Sequence, residues 1–250
     1  MSCCPAANPT AYETGVLAAS GQRLPHPGGA ELTRHAIESA GLRAGARIVD
    51  LGAGAGKTVE LLRTMGFDAV GVEPRADKPS AQTGLCVRAT AESLPFPNGS
   101  ATAVLAECSL SVMGDWERVL AECARVLERG GRLIVADLYA RNPEAIGRAR
   151  ALGHSAIAGM IVREELQASL RAHGFAAELW EDHSRALREF AARFLMYNGS
   201  LTQLWGCAGT GASAQEIESA MKATRAGYFL LIATAGNAHR STPPRSTQWI

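Results

Sequence analysis

Five small residues, Gly52-Ala53-Gly54-Ala55-Gly56, separate a short apolar run, Arg47-Ile48-Val49-Asp50-Leu51, from a stretch of helical periodicity between Lys57 and Met65. Glycines let the backbone bend tightly and let a ligand approach the main chain with no Cβ in the way. A buried strand, a glycine-rich turn and a helix in that order open an α/β unit. In an open parallel sheet the ligand lies beyond the carboxyl ends of the strands, where this turn sits.

The residues downstream keep the same alternation. Ala69-Val70-Gly71-Val72-Glu73 reads as a second buried strand, Gly84 to Arg88 as a shorter third and Ala101 to Glu107 as a fourth. From Asp115 to Glu128, apolar Val119, Leu120, Ala124, Val126 and Leu127 recur on a helical period. Gly130-Gly131 is expected to stop that helix with a left-handed residue, ahead of a fifth strand from Arg132 to Leu138. Short apolar strands alternating with helices predict parallel strands joined by right-handed crossovers. Beyond Leu138 the pattern predicts helices at Arg163 to Ala172, Ser184 to Tyr197 and Ser213 to Thr224. Strands are expected from Gly174-Phe175 to Glu181 and from Gly227 to Thr234, extending the sheet edge, one of them antiparallel. Upstream, Pro25-His26-Pro27-Gly28-Gly29 reads as a turn into a helix from Ala30 to Ala40. The expected organisation is a lid or flexible segment over residues 1–29, one α/β domain over 30–235 and a disordered tail over 236–250.

Glycine spacing separates the ligands such a turn can take. Gly56-Lys57-Thr58 imitates the end of a P-loop, but the first glycine of that motif would fall at Leu51. A dinucleotide fingerprint would need glycine at Lys57, and Asp50 would face a pyrophosphate badly. Gly-x-Gly-x-Gly preceded by an aspartate suits a cofactor without phosphate, whose sulfonium and ammonium groups sit well beside a carboxylate. Glu73 ends the second strand, about 20 residues on, where a carboxylate can accept from both ribose hydroxyls. Read alone, it would be a solvated strand-end acid.

Charge narrows the partners. Lys and Arg number 25 against 24 Asp and Glu, for a formal net charge of +1, with no basic run. No polyanionic partner is expected, neither nucleic acid nor an anionic membrane, and a small-molecule substrate is the default. No stretch of about 18 apolar residues predicts a membrane span. Met1-Ser2-Cys3-Cys4-Pro5 lacks a signal-peptide pattern, so a cytoplasmic location is expected. The six cysteines have no C-x-x-C pair and no histidine cluster in sequence, so no structural zinc and no metal ligand set is expected.

In order along the chain, Val49-Asp50-Leu51-Gly52-Ala53-Gly54-Ala55-Gly56, Val72-Glu73, Ala91-Glu92-Ser93-Leu94-Pro95-Phe96, the strand ending at Glu107, Ala124-Arg125-Val126-Leu127 and Gly130-Gly131-Arg132-Leu133-Ile134-Val135 resemble the class I methyltransferases, in particular the type 11 family. The likeness covers about residues 46–138. It implies a doubly wound, mostly parallel seven-stranded sheet with helices on both faces, a Rossmann-like methyltransferase fold. It also implies an enzyme using S-adenosyl-L-methionine. By that resemblance Asp50, Gly52, Ala53, Gly54 and Gly56 hold the methionine part, and Glu73 with Pro74 the ribose. Ala91 and Glu92 lie beside the adenine, and Glu107 at the end of the fourth strand faces the methyl group. The family often has aspartate before the Ala-Glu pair; here Thr90 stands there, so adenine recognition is expected to rest more on backbone groups.

Methyl transfer needs an aligned nucleophile about 3 Å from the methyl and little else, so no universal catalytic triad is expected. Cys108 and Tyr12 are the candidates for a catalytic part, and His26 and His35 could join Tyr12 at the cofactor entrance. Cys108 follows Glu107 as a cysteine does in arsenite methyltransferases, which this chain resembles locally. The later segment, Ala156-Ile157-Ala158-Gly159, then Glu164-Glu165-Leu166 and Gly174-Phe175, has alanine where those enzymes carry a thiol. Trivalent arsenic binds best to two or three thiolates; Cys3-Cys4 or Cys207 would have to supply the rest. Cys86, Cys108 and Cys123 also read as small core hydrophobes, and the segment Asn198 to Gly211, with Trp205-Gly206-Cys207, as a pocket wall or a plain loop. Three functions stay open beside a small-molecule methyltransferase: a thiol-assisted arsenite methyltransferase, a binding module without turnover, and a nucleotide-dependent oxidoreductase.

Overall fold

The computed structural model describes residues 24, 26–74, 84–153, 155–198, 204 and 212–236. Cys3, Cys4, Tyr12, Trp205 and Cys207 lie outside the described residues, as do most of the expected lid and the tail beyond Gly236.

The strands are β1 (Arg47–Leu51), β2 (Asp68–Val72), β3 (Cys86–Val87), β4 (Ala101–Glu107), β5 (Leu127–Tyr139), β6 (Phe175–Asp182) and β7 (Gly227–Ala235). They form one seven-stranded sheet in the order β3-β2-β1-β4-β5-β7-β6. Strands β1 to β5 pair in parallel, and β7 runs antiparallel between β5 and β6. The expected doubly wound sheet is therefore present, with its one antiparallel strand inserted second from the edge. The chain winds outward from β1 through β2 to β3 and returns to the other side of β1 as β4. That reversal leaves a crevice at the carboxyl ends of β1 and β4.

Helices cover both faces: α1 (Gly29–Ser39), α2 (Lys57–Thr64), α3 (Trp116–Val126), α4 (Ile146–Arg150), α5 (Arg163–Ala172), α6 (Ser184–Asn198) and α7 (Ala214–Thr224). Side chains alternate across the strands, so two apolar layers form. Ile48, Leu105, Ile134 and Leu230 pack with Ile37 of α1, Leu62 of α2 and Phe190 and Phe194 of α6. Val49, Val104, Leu133 and Leu231 pack against Leu120 and Cys123 of α3 and Leu166 and Leu170 of α5. No helix of the described residues is long and apolar enough to cross a membrane.

The expected end of the third helix needs correction. Leu127 is already extended (φ −69°, ψ 136°), so the helix stops at Val126, and β5 runs straight on through Gly130-Gly131. Gly130 does take a left-handed conformation (φ 75°). That conformation serves the irregularity where Leu127 pairs with Ala101 and the next pair, Arg132 with Ala103, is out of step. Strand pairing outcompeted the last helical turn. The expected third strand is also shorter, reduced to Cys86–Val87, and α4 was not anticipated.

Candidate functional site

The crevice at the sheet reversal opens into a cavity of about 1060 Å³. Its floor is the glycine turn. Gly52 and Ala53 donate to the Val72 carbonyl at 2.9 and 3.1 Å, tying the turn to the end of β2. Gly52 is left-handed (φ 71°), and a Cβ there would sit 2.7 Å from Ser109 Cβ. Only glycine fits, because the turn and the segment after β4 close against each other at that point.

Three acids gather around this turn. Asp50, on β1, is 3% exposed, and its Oδ2 has no hydrogen-bond partner among the described residues. Burial first, then the charges of Glu107 and Glu73, push its carboxyl well above the usual aspartate range. Glu73, just past β2, is 8% exposed and its Oε2 accepts the Gly54 N–H at 2.9 Å. Glu107, at the end of β4, accepts from the Thr33 hydroxyl at 2.9 Å and from Thr58 at 3.5 Å, with His26 Nε2 at 3.4 Å. His26 in turn sets Nδ1 3.1 Å from the Pro27 carbonyl. The turn before α1 thus does deliver the chain into the helix, and in doing so closes one side of the cavity over Glu107.

Asp50, Gly52, Ala53, Gly54, Glu73, Pro74, Ala91, Glu92 and Glu107 all line this cavity, with Thr90 beside the Ala-Glu pair. Gly56 does not: it is the left-handed N-cap of α2 (φ 76°) and donates to the Ala53 carbonyl at 2.8 Å. His26 lines the cavity, whereas His35 is half-exposed elsewhere. The loop bearing Ala91 and Glu92 is clamped by Arg125 of α3. Its guanidinium donates to the Leu94 and Phe96 carbonyls at 2.9 and 2.8 Å and to Glu122.

Cys108 lines the cavity too, in a left-handed conformation (φ 52°), its Sγ 3.1 Å from the Tyr228 hydroxyl. That hydroxyl donates to the Ala136 carbonyl at 3.1 Å. Cys86 and Cys123 are buried in the core, as small hydrophobes are expected to be, and neither lines the cavity.

Sequence reasoning missed Ser109 and Asp137. Ser109 is 4% exposed, and its hydroxyl, like Asp50 Oδ2, has no partner among the described residues. Asp137 is fully buried at the end of β5; it accepts from Ser111 N and Oγ at 2.8 and 2.7 Å and so holds the turn at Leu110–Val112. Burial raises its carboxyl, partly offset by those bonds. An acid inside the run Leu133-Ile134-Val135-Ala136-Asp137-Leu138 was the available signal. The rest of the wall is mostly apolar, with Leu110, Val112, Met113, Met160 and Ile161.

A family model described as a methyltransferase domain matches residues 49–135. O-methyltransferase resE of Aspergillus sclerotiorum is 35% identical over 148 residues, covering 53% of this chain and 55% of that protein. The 27-O-demethylrifamycin SV methyltransferase of Amycolatopsis mediterranei is 33% identical over 164 residues, 59% of this chain and 60% of that one. The chain spans about half the length of the curated relatives it matches. Among solved structures, that of the [4+2]-cyclase SpnF superposes with a TM-score of 0.69 at 25% identity, covering 94% of this chain and 99% of the other.

Proposed function

We propose that the chain, whose residues 49–135 match a methyltransferase-domain model, moves a methyl group from S-adenosylmethionine to a small, largely apolar acceptor. The carrying observation is Asp50 Oδ2: a buried carboxylate oxygen with no partner among the described residues, flanked by Glu107 and Glu73 at the glycine turn. A site of that kind calls for a cationic donor and repels phosphate. The residues fit the cofactor. Asp50 and the Ser109 hydroxyl offer unspent polar groups to its amino-acid end, Glu73 a carboxylate to its ribose, and Ala91 and Glu92 a wall for its base. When bound, the cofactor supplies an electrophilic methyl on its own leaving group, so the chain has only to orient the acceptor and exclude water.

The cavity exceeds the usual size of a single-ligand pocket, which leaves room for an acceptor beside the cofactor. The wall of Leu110, Met113, Met160 and Ile161 favours an apolar acceptor body. The two relatives named for O-methylation favour oxygen as the accepting atom. A thiol-assisted arsenite reaction has less support: among the described residues Cys108 is the one thiol on the cavity wall, short of the two or three that arsenic prefers.

A second reading has one observation behind it. One solved structure that matches nearly the whole chain is that of a cyclase, and one fold hosts many functions. Calorimetric titration with S-adenosylmethionine, S-adenosylhomocysteine, NAD and ATP tests the cofactor class; binding of the first two alone is expected. A tritiated-methyl transfer screen over hydroxylated apolar compounds then separates the two readings. Label in product supports methyl transfer. Product of unchanged mass, with cofactor unconsumed, supports the cyclase-like reading. In the titration, Asp50→Ala and Glu73→Ala should each lose cofactor affinity while staying folded, and unchanged binding in both would refute the site.

A further inference from the structure

Outside the cavity wall, three side chains from separate elements converge: His35 of α1, Glu181 near the end of β6, and His183 in the turn that opens α6. His35 Nε2 lies 2.7 Å and His183 Nε2 2.8 Å from the same oxygen, Glu181 Oε2. The two rings are 5.9 Å apart between centroids. We infer that this cluster binds one divalent transition-metal ion of the zinc class, through His35 Nε2, His183 Nε2 and a Glu181 carboxylate oxygen, with the remaining position left to water.

The geometry supports this at each point. All three ligand atoms lie within 4.8 Å of one another. Zinc bonds of about 2.0–2.2 Å in a tetrahedron hold ligands about 3.3 Å apart. The two hydrogen bonds therefore open by roughly half an ångström, well within a small ring rotation. Two imidazoles with one carboxylate select zinc-like ions over calcium or magnesium, which prefer all-oxygen sites. In the metal-free arrangement each ring can donate Nε2–H to Glu181. A ring that coordinates through Nε2 carries its proton on Nδ1, so the ion would replace the two N–H bridges.

The backbone beneath is fixed. Glu181 pairs with Leu230 across the sheet. His183 donates its N–H to the Tyr228 carbonyl at 2.7 Å and accepts from Ala186 N at 2.9 Å. His35 sits on α1, two residues past Thr33, whose hydroxyl reaches Glu107 in the cavity. An ion here would tie that helix to β6 and α6 and so stiffen the cavity wall.

The test uses the full chain carrying Cys3→Ser and Cys4→Ser, since those vicinal thiols would also capture zinc. Calorimetric titration with zinc chloride should show one equivalent bound, a rise in Tm that EDTA reverses, and with cobalt a four-coordinate visible spectrum. His35→Ala and His183→Ala should each weaken binding roughly tenfold or more, with circular dichroism unchanged. No zinc binding by the folded chain, or one equivalent bound equally well by both histidine variants, overturns the inference.

Discussion

Replacing Asp50 with asparagine should stabilise the ligand-free protein and weaken cofactor binding, two effects of one buried charge. Asp50 is 3% exposed, with one carboxylate oxygen unpartnered among the described residues. An unsatisfied buried group costs about 1–3 kcal/mol, more when charged. The amide keeps the volume and still leaves a polar group there, but it spares the folded chain the cost of holding an acid either protonated or charged beside Glu107 and Glu73, a gain of about 1–3 kcal/mol. For a chain of this size that gain corresponds to a Tm increase of roughly 2–12 °C. The same change removes a charge-assisted contact worth about 1.5–3 kcal/mol, so affinity for S-adenosylmethionine should fall roughly 10- to 150-fold. The pH dependence follows from the direction of the shift. Burial and the two neighbouring acids raise the Asp50 carboxyl, so above about pH 4 the folded chain keeps a proton that the unfolded chain has lost. Its contribution favours folding at low pH and is lost as pH climbs through the folded-state value. The Tm advantage of Asp50→Asn should therefore widen with rising pH. Scanning calorimetry across pH and isothermal titration at one pH read the two effects separately. A variant less stable than wild type at every pH, binding the cofactor equally well, would refute the argument.

Other expectations concern the supports of the site. Arg125→Ala removes the guanidinium that holds the Leu94 and Phe96 carbonyls; it should cost about 1–3 kcal/mol in urea unfolding and loosen cofactor binding through the loop at Ala91 and Glu92. Gly159→Ala would drive a Cβ into the Ser111 carbonyl oxygen, so the two segments must part, at a cost of about 1–3 kcal/mol or more by the same measurement. Tyr228→Phe deletes the buried hydroxyl between Ala136 O and Cys108 Sγ and should destabilise by about 0.5–1.5 kcal/mol. Cys108→Ser tests the thiol itself: full methyl transfer by that variant leaves Cys108 a packing residue.

The chain spelled out most of its fold because buried strands and amphipathic helices write their periods into sequence. Strands β1 and β4 and helix α5 lie where the residue pattern predicts them. The glycine turn was legible because its backbone needs glycine, and Glu73 because it stands at a strand end after that turn. Local pattern misjudged Gly130-Gly131, where pairing of Leu127 with Ala101 ended the helix early. Pattern was also silent on where β7 would insert, since antiparallel insertion between β5 and β6 depends on partners far apart in sequence. Which polar groups remain unsatisfied among the described residues, Asp50 Oδ2 and Ser109 Oγ, is likewise a property of the assembled crevice. So is the meeting of His35, Glu181 and His183, two of whose members are separated by 146 residues along the chain. Periodicity reports what each segment buries; only the folded sheet decides which distant side chains share a point in space.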